Sequence, residues 1–421
     1  MTRYIHRSAP VLLLLTLMAR AVAAQDLTIS SDLALSESVY TFNNLTVNNG
    51  ATLTIGGGST LTINNSLMVT GNSTILLQGK NTAGLVGGQF QGVGVTINAA
   101  NVQVDMGSTI SADGQGYAGG QGPGAGHWDA MNDSAGGGGY GGAGATHQGN
   151  AGGAAYGSPL APTDLGSGGG NAQTAGGAGG GAIRLNVTGT LALGGAIRSN
   201  GQAGIGGGCI THAGGGGAGG SLYVTATVLT GAGSFNANGG AGGSDGCNGN
   251  AGAGGGGRIA IFYADGSGFS GFVASAANGG GGQYPAPPGT EVFVNTANNG
   301  LRVLETQTLR FEPATTLSFG SVTVDNAATL TLGGVSTLDT SGNVLITGNS
   351  TLVLQGTNTT GQVDGQWQGV GVTINAANVQ VLYKAYWNMA LLNNDNTFGI
   401  HNPAFFQQVV GATTARLQAL P

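Results

Sequence analysis

Residues 42–104 recur without a gap at residues 319–381, and 41 of the 63 positions are identical. Both copies close on the same fourteen residues, QGVGVTINAANVQV. Where core-type positions differ, the exchange stays apolar: Leu45 becomes Val322, Ile55 Leu332, Met68 Leu345, Val69 Ile346, Ile75 Leu352 and Phe90 Trp367. Swaps that keep apolar volume at set points are what a packed core demands of a duplicated unit, and a disordered tract has no reason to keep them.

Inside each copy the apolar residues alternate in short pairs about eight residues apart: Leu45 and Val47, Leu53 and Ile55, Leu61 and Ile63, Ile75 and Leu77. Between the pairs stand Asn48-Asn49-Gly50, Gly56-Gly57-Gly58, Asn64-Asn65 and Gly71-Asn72. Alternation of this kind predicts strands with one buried face, and Asn and Gly supply the left-handed turns between them. Even spacing alone fits a sandwich, a barrel or a solenoid. The repeat favours a solenoid, because each coil then buries its apolar face on its neighbours.

Residues 105–290 follow a longer period. GGAGGGAIRLNV from 176, GGGGAGGSLYVT from 214 and GAGGGGRIAIFY from 252 are spaced by 38 residues. Each unit is a glycine run, a strand, a turn and a second short strand that ends on Asn or Asp followed by Gly. One unit therefore reads as one coil, with the glycine run as an excursion. The runs have two readings. They are solvated loops, or they lie side by side as polyproline-II-like strands whose missing side chains let backbones approach and hydrogen-bond. Composition leaves both open.

The segment LTVNNGATLTIGGGSTLTINNSLMVTGNSTILLQG resembles the passenger regions of bacterial right-handed parallel β-helix proteins, adhesins and autotransporter-like surface proteins among them. GGGGAGGSLYVTATVLTGAGSFNANGGAGG is similar to glycine-rich coils of secreted proteins of that type. The resemblance implies an all-β, right-handed parallel β-helix with glycine-rich excursions. The expected divisions are a signal peptide at 1–24, N-terminal coils at 25–104, glycine-rich coils at 105–290, C-terminal coils at 291–381 and a helical cap or tail at 382–421. Within that tail, residues 394–403 are similar to a helix-loop-helix near the end of some multihaem cytochromes. The chain has no Cys-x-x-Cys-His motif, so His401 reads as a loop residue.

The N-terminus carries Arg3 and Arg7 before an apolar stretch at 11–18 and the small residues 21–24, the pattern of a secretory signal. Its three arginines, taken from the 11 basic residues of the chain, leave 8 against 17 acidic ones, a net charge of −9. A mildly acidic chain of this kind offers no footprint for nucleic acid. No stretch reaches the length of a transmembrane helix. Secretion or display at the cell surface is the expectation.

Little catalytic chemistry is visible. Cys209 and Cys247, the only cysteines, lie one 38-residue step apart. Stacked coils bring such positions to roughly 4.8 Å, within disulfide range. A bridge is the leading reading for an exported chain, with free thiols and metal ligation as alternatives. Arg184, Arg198 and Arg258 lie on or beside strands with no neighbouring Asp or Glu in the sequence, and read as partners of turn carbonyls or solvent. Asp105, Asp113, Asp129 and Asp133 with His127 form the densest polar group, read as a solvated loop. No catalytic, cofactor or metal residue is assigned. The chain therefore reads as an exported structural or adhesin-like surface protein whose partners are surface glycans or cell-envelope components. The alternatives are a carbohydrate-active enzyme and, on the strength of alternating threonines such as Thr52 and Thr54, an ice-binding protein.

Overall fold

The computed structural model describes residues 24–129, 134–208, 211–244, 246, 250–304, 308–311, 315–325, 327–356 and 371–381. Cys209, Cys247, Asp133, His401 and the expected cap at 382–421 lie outside the described residues, as does the expected signal but for Ala24. The chain divides into two compact units, Met1–Leu309 and Arg310–Pro421. The described residues are all-β, and their one helical element is the 3-10 turn Gly271–Ala274.

In the first unit the strands form two sheets of parallel neighbours. The longer runs through Gln25–Ile29, Val39–Val47, Thr60–Val69, Val95–Val104, Ala182–Val187 with Thr190–Leu193, Ser221–Gly231, Arg258–Phe269 and Thr290–Asn295, and ends on Gly300–Val303, paired antiparallel. The shorter runs through Leu33–Leu35, Thr52–Ile55, Thr74–Leu77, Thr109–Ser111, Ala196–Arg198 and Ser234–Asn236. The chain alternates between the two, so each strand lies beside the strand one repeat away. The 38-residue period is visible in the register, with Leu191 opposite Leu229 and Ile197 opposite Phe235.

Period-two alternation points the apolar set inward. Because the strands are in register, like residues then stack into columns. Leu53, Ile75, Ile110, Ile197 and Phe235 form one column, and Leu61, Ile97, Leu185, Val224, Ile261 and Phe293 another, all fully or almost fully buried. Each end is fixed by turn chemistry. Asn49 and Gly50 (φ +60° and +72°), like Gly71 and Asn72 (φ +62° and +59°), occupy the left-handed region that reverses the chain at no steric cost to Gly and little to Asn.

A polar column runs alongside. The Asp113 carboxylate accepts the Asn200 backbone N–H at 2.7 Å, the Asn200 side-chain oxygen accepts that of Asn238 at 2.8 Å, and Asn238 accepts that of Asn278 at 2.8 Å. These are the Asn or Asp residues that end each unit. They bind one repeat to the next just where the backbone leaves the strand for a glycine run.

The glycine runs are packed, which settles the alternative that composition left open. Residues 213–220 show the arrangement. The N–H groups of Gly215 and Ala218 donate to Gly170 and Ser167, those of Gly216 and Gly219 to Gly252 and Gly255, and those of Gly217 and Gly220 to Gln202 and Ser199, at 2.8–3.0 Å. Their carbonyls accept from a further set: Gly177 and Gly180, Gly138, and Gly240. Every third residue addresses the same neighbour, so the run has three residues per turn and six surrounding segments. This is polyproline-II geometry with its hydrogen bonds satisfied between chains. No residue of 214–220 has positive φ. Glycine is required there by proximity, since a Cβ on Gly216 would press into the carbonyl oxygen of Gly240 and one on Gly219 into that of Ala237.

The second unit repeats the pairing register of the first copy, although the single strand Thr60–Val69 is matched by two, Thr337–Thr340 and Asn343–Ile346. Thr52–Ile55 and Thr74–Leu77 pair Thr52 with Thr74; 277 positions on, Thr329–Leu332 and Thr351–Leu354 pair Thr329 with Thr351. Thr60 opposite Thr96 becomes Thr337 opposite Thr373, and Leu45 opposite Leu67 becomes Val322 opposite Val344. The duplication thus preserves register as well as sequence.

Two substitutions between the copies put a side chain at left-handed φ, Ala327 for Gly50 and Val335 for Gly58, and the β-branched one is the more strained. Gly58 (φ +82°) donates its N–H to Gly94, and its counterpart Val335 donates to Gly371 at φ +64°. A β-branched residue in the left-handed region costs about 1–2 kcal/mol. Val335 is exposed, so its side chain recovers little by packing. Val335→Gly is expected to stabilise the second unit by about 1 kcal/mol after glycine's greater freedom in the unfolded chain is subtracted. A denaturant midpoint at or below that of the parent would contradict this.

Candidate functional site

Two groups of side chains stand out, one buried and one on the surface. The buried group ties the glycine bundle to the strands. Ser221, Arg258 and Thr290 are the first residues of three neighbouring strands and lie in one row. Each follows a glycine-rich stretch, and Ser221 and Arg258 meet residues 140, 156 and 164. The fully buried Tyr140 shares a 2.6 Å hydrogen bond with the Ser221 hydroxyl, which donates to the Asp164 backbone carbonyl at 2.6 Å. Arg258 Nε donates to the Tyr156 carbonyl at 2.9 Å and Nη1 to Thr290 Oγ1 at 3.3 Å. Its guanidinium lies 5.5 Å from the centre of the Tyr140 ring. Tyr156 in turn bonds the Leu165 carbonyl at 2.5 Å and the Ser167 hydroxyl at 2.8 Å.

Burial governs the protonation of this group. It pushes the Tyr140 and Tyr156 hydroxyls well above their ordinary range and pulls the Arg258 guanidinium down. Asp164 is also raised, by desolvation first, with Arg258 pulling the other way. Both tyrosines are therefore neutral donors, and the cluster acts as a closed hydrogen-bonded tie with no nucleophile or base poised against a substrate.

The Asp164 shift has a stability consequence with a definite sign. A carboxyl whose folded pKa exceeds its unfolded value binds protons more tightly when folded. Stability from this group is then greatest below the unfolded value, near 3.8, and falls as pH rises toward the folded value. At neutral pH the charged form is a net burden. Asp164→Asn is expected to raise the thermal midpoint at pH 7 and to leave it unchanged at pH 3. A lower midpoint at pH 7 would show that attraction to Arg258 outweighs desolvation.

The surface group lies on the outer face of the long sheet, on consecutive strands. Thr96, Arg184 and Tyr223 are in register, as are Asn98, Asn186, Thr225 and Phe262 one alternation further along. Arg184 is exposed, and its guanidinium sits 5.4 Å from the centre of the Tyr223 ring. Tyr223 meets Phe262 edge to face at 5.8 Å. Asn186 Nδ2 donates to Asn98 Oδ1 at 2.8 Å, and Thr225 Oγ1 donates to Asn186 Oδ1 at 3.4 Å. The parallel strands thus display a cation, an aromatic pair and a row of amide and hydroxyl groups.

The sequence-predicted residues fall out as follows. Arg258 does bond a loop carbonyl, as expected, but from a buried position. Arg198 forms an ion pair with Asp113 at 3.2 Å, a correction to its reading as a residue without an acidic neighbour; the partner follows the strand Thr109–Ser111, which pairs with Ala196–Arg198. Asp105, Asp113, Asp129 and His127 have separate partners: Gln103 donates to the Asp105 carboxylate and the Asn200 N–H to that of Asp113, while the backbone N–H groups of Asp129 and His127 donate to the Asn150 side chain and the Ala151 carbonyl. Among the described residues no three of His, Cys, Asp and Glu converge on a point that would hold a metal ion. Tyr140, Tyr156, Asp164, Tyr223 and Phe262 escaped the sequence reading. The available signal was the polar residue that closes each glycine run, Ser221 and Arg258 in equivalent places.

No protein-family model, curated protein or solved structure matches the chain significantly.

Proposed function

We propose that the chain is a right-handed parallel β-helix, exported through its N-terminal signal, that acts without enzymatic turnover as a structural or adhesin-like surface protein. Surface glycans or cell-envelope components are its partners under this reading, in keeping with its resemblance to passenger regions of that fold. The observation that carries it is the distribution of chemistry. The buried polar groups are spent on joining coils and glycine runs, whereas the outer face of the long sheet presents rows of Thr, Asn, Arg and aromatic side chains on a rigid, repetitive backbone. Arrays in fixed register suit multivalent adhesion better than chemistry on a single bond. No helix among the described residues is long and apolar enough to cross a membrane.

The test is binding of the mature protein to glycan arrays and to cells, with degradation assays on the same polymers. Retention without product is expected. Release of reducing or unsaturated ends from any polysaccharide would replace this reading with that of a carbohydrate-active enzyme.

A disulfide between Cys209 and Cys247 belongs to the same proposal. Just before the two cysteines, Gly204 and Gly207 donate to the carbonyls of Ala241 and Ser244 at 2.9 Å each, so the segments leading to them are neighbours. Peptide mass spectrometry of the non-reduced secreted protein should recover the linked pair, and two alkylatable thiols would refute it.

A further inference from the structure

We infer that the face around Arg184 is a subsite for the carboxylate of an acidic sugar, a uronate or a sialate. The inference rests on the adhesive reading above and gives it a ligand class.

Arg184 is the only charged residue among the outward positions Thr60, Thr62, Thr96, Asn98, Arg184, Asn186, Tyr223, Thr225 and Phe262. It makes no ion pair with any described residue, although acidic residues exceed basic ones in this chain by 17 to 11. Of the other arginines near this sheet, Arg198 is neutralised by Asp113, and Arg258 is buried among Tyr140, Tyr156 and Thr290. Of these three arginines, Arg184 is the one that is exposed and outside any ion pair among the described residues. The guanidinium lies over the Tyr223 ring, a contact that limits the side chain's freedom and lowers the entropy lost when its N–H groups meet an anion.

The surroundings select a sugar acid over a simple anion. The Tyr223 and Phe262 rings offer apolar surface to the C–H face of a pyranose. One strand alternation away, Asn98, Asn186 and Thr225 form a hydrogen-bonded row whose remaining amide and hydroxyl capacity faces solvent and matches ring hydroxyls. Cation, ring and amide row lie on adjacent strands about 4.8 Å apart, the scale of one sugar residue. A nucleic acid would require more than one cation here, and the face has one.

The experiment is an array of uronate- and sialate-bearing oligosaccharides printed beside their carboxyl methyl esters, probed with the full-length mature protein. Acidic forms are expected to bind at least tenfold tighter than their esters, with affinity that falls as salt rises. Arg184→Gln should abolish that preference and Tyr223→Ala should weaken binding to acidic and esterified forms together. Arg198→Gln should leave both unchanged. Arg184 is exposed, so an unaltered thermal midpoint will certify the variant's fold. Equal binding of esters, no binding of any acidic sugar, or an Arg184→Gln protein that behaves as the parent would overturn the proposal. Cell attachment separates the two layers. If parent and Arg184→Gln attach equally, the subsite fails and the adhesive reading stands; if the parent does not attach at all, the adhesive reading fails as well.

Discussion

Gly216→Ala is expected to cost about 3 kcal/mol or more, placing it at or above the top of the usual range for an overpacked core. The added methyl has no flexible side chain to push aside. It meets the backbone carbonyl of Gly240, which itself belongs to a run hydrogen-bonded to Gly217. Relief therefore requires one run to move away from another, and the N–H and carbonyl groups between them would be left buried without partners, each at a further penalty of about 1–3 kcal/mol. The matched control is Gly281→Ala. Gly281 is exposed, has negative φ and no atom within contact distance of a built Cβ. There alanine should be neutral or stabilising by up to about 1 kcal/mol, because it restricts the unfolded chain. Urea midpoints for the pair, with amide exchange at Gly138 and Gly252 as the local readout, check the expectation. If both variants unfold like the parent, the glycine runs are loosely held and their close packing is unimportant to stability.

Arg258→Ala is the second large effect, expected at about 3–5 kcal/mol from two charge-assisted hydrogen bonds and a desolvated cation–ring contact. The loss would expose the Tyr156 carbonyl and Thr290 hydroxyl as unpaired groups and open a space under Tyr140. Arg258→Met, which refills much of that space without a charge to desolvate, should recover part of the loss. Because Asp164 is coupled to Arg258, the Arg258→Ala, Asp164→Asn double variant should be less unstable than the two single effects summed. Strict additivity would mean that Arg258 acts through its hydrogen bonds alone. Near-UV circular dichroism, which senses Tyr140 and Tyr156, should report loosening of the cluster before the strands unfold.

Register and inward face were open to reading from the sequence because they depend on local period. Leu53 and Ile55 alternate with threonines wherever they are placed, and a one-residue slip would turn every leucine outward, so a gapless repeat already implies conserved register. The Asn and Asp residues before Gly114, Gly201 and Gly239 were visible as unit ends for the same reason. Their role as a ladder needed the paired neighbours, since each side chain serves the backbone of another repeat.

The glycine runs mark the boundary of what sequence determines. A solvated linker and a bundle of polyproline-II strands can share one composition, and no side-chain pattern exists in either to tell them apart. Gly216 bonds Gly252 and Gly138 and abuts Gly240, residues brought together only by the tertiary fold. The candidate site divides in the same way. Arg184 was visible as a strand arginine, but its isolation from acids and its seat on Tyr223 follow from cross-strand register, while the pairing of Arg198 and the burial of Arg258 follow from a neighbouring strand and from the loop residues Tyr140 and Tyr156. Periodicity in the chain determined strands, turns and repeat, because those are set by each residue and its near neighbours. Tertiary structure decided which backbones touch and which charges stay unpaired, because both depend on residues tens of positions apart.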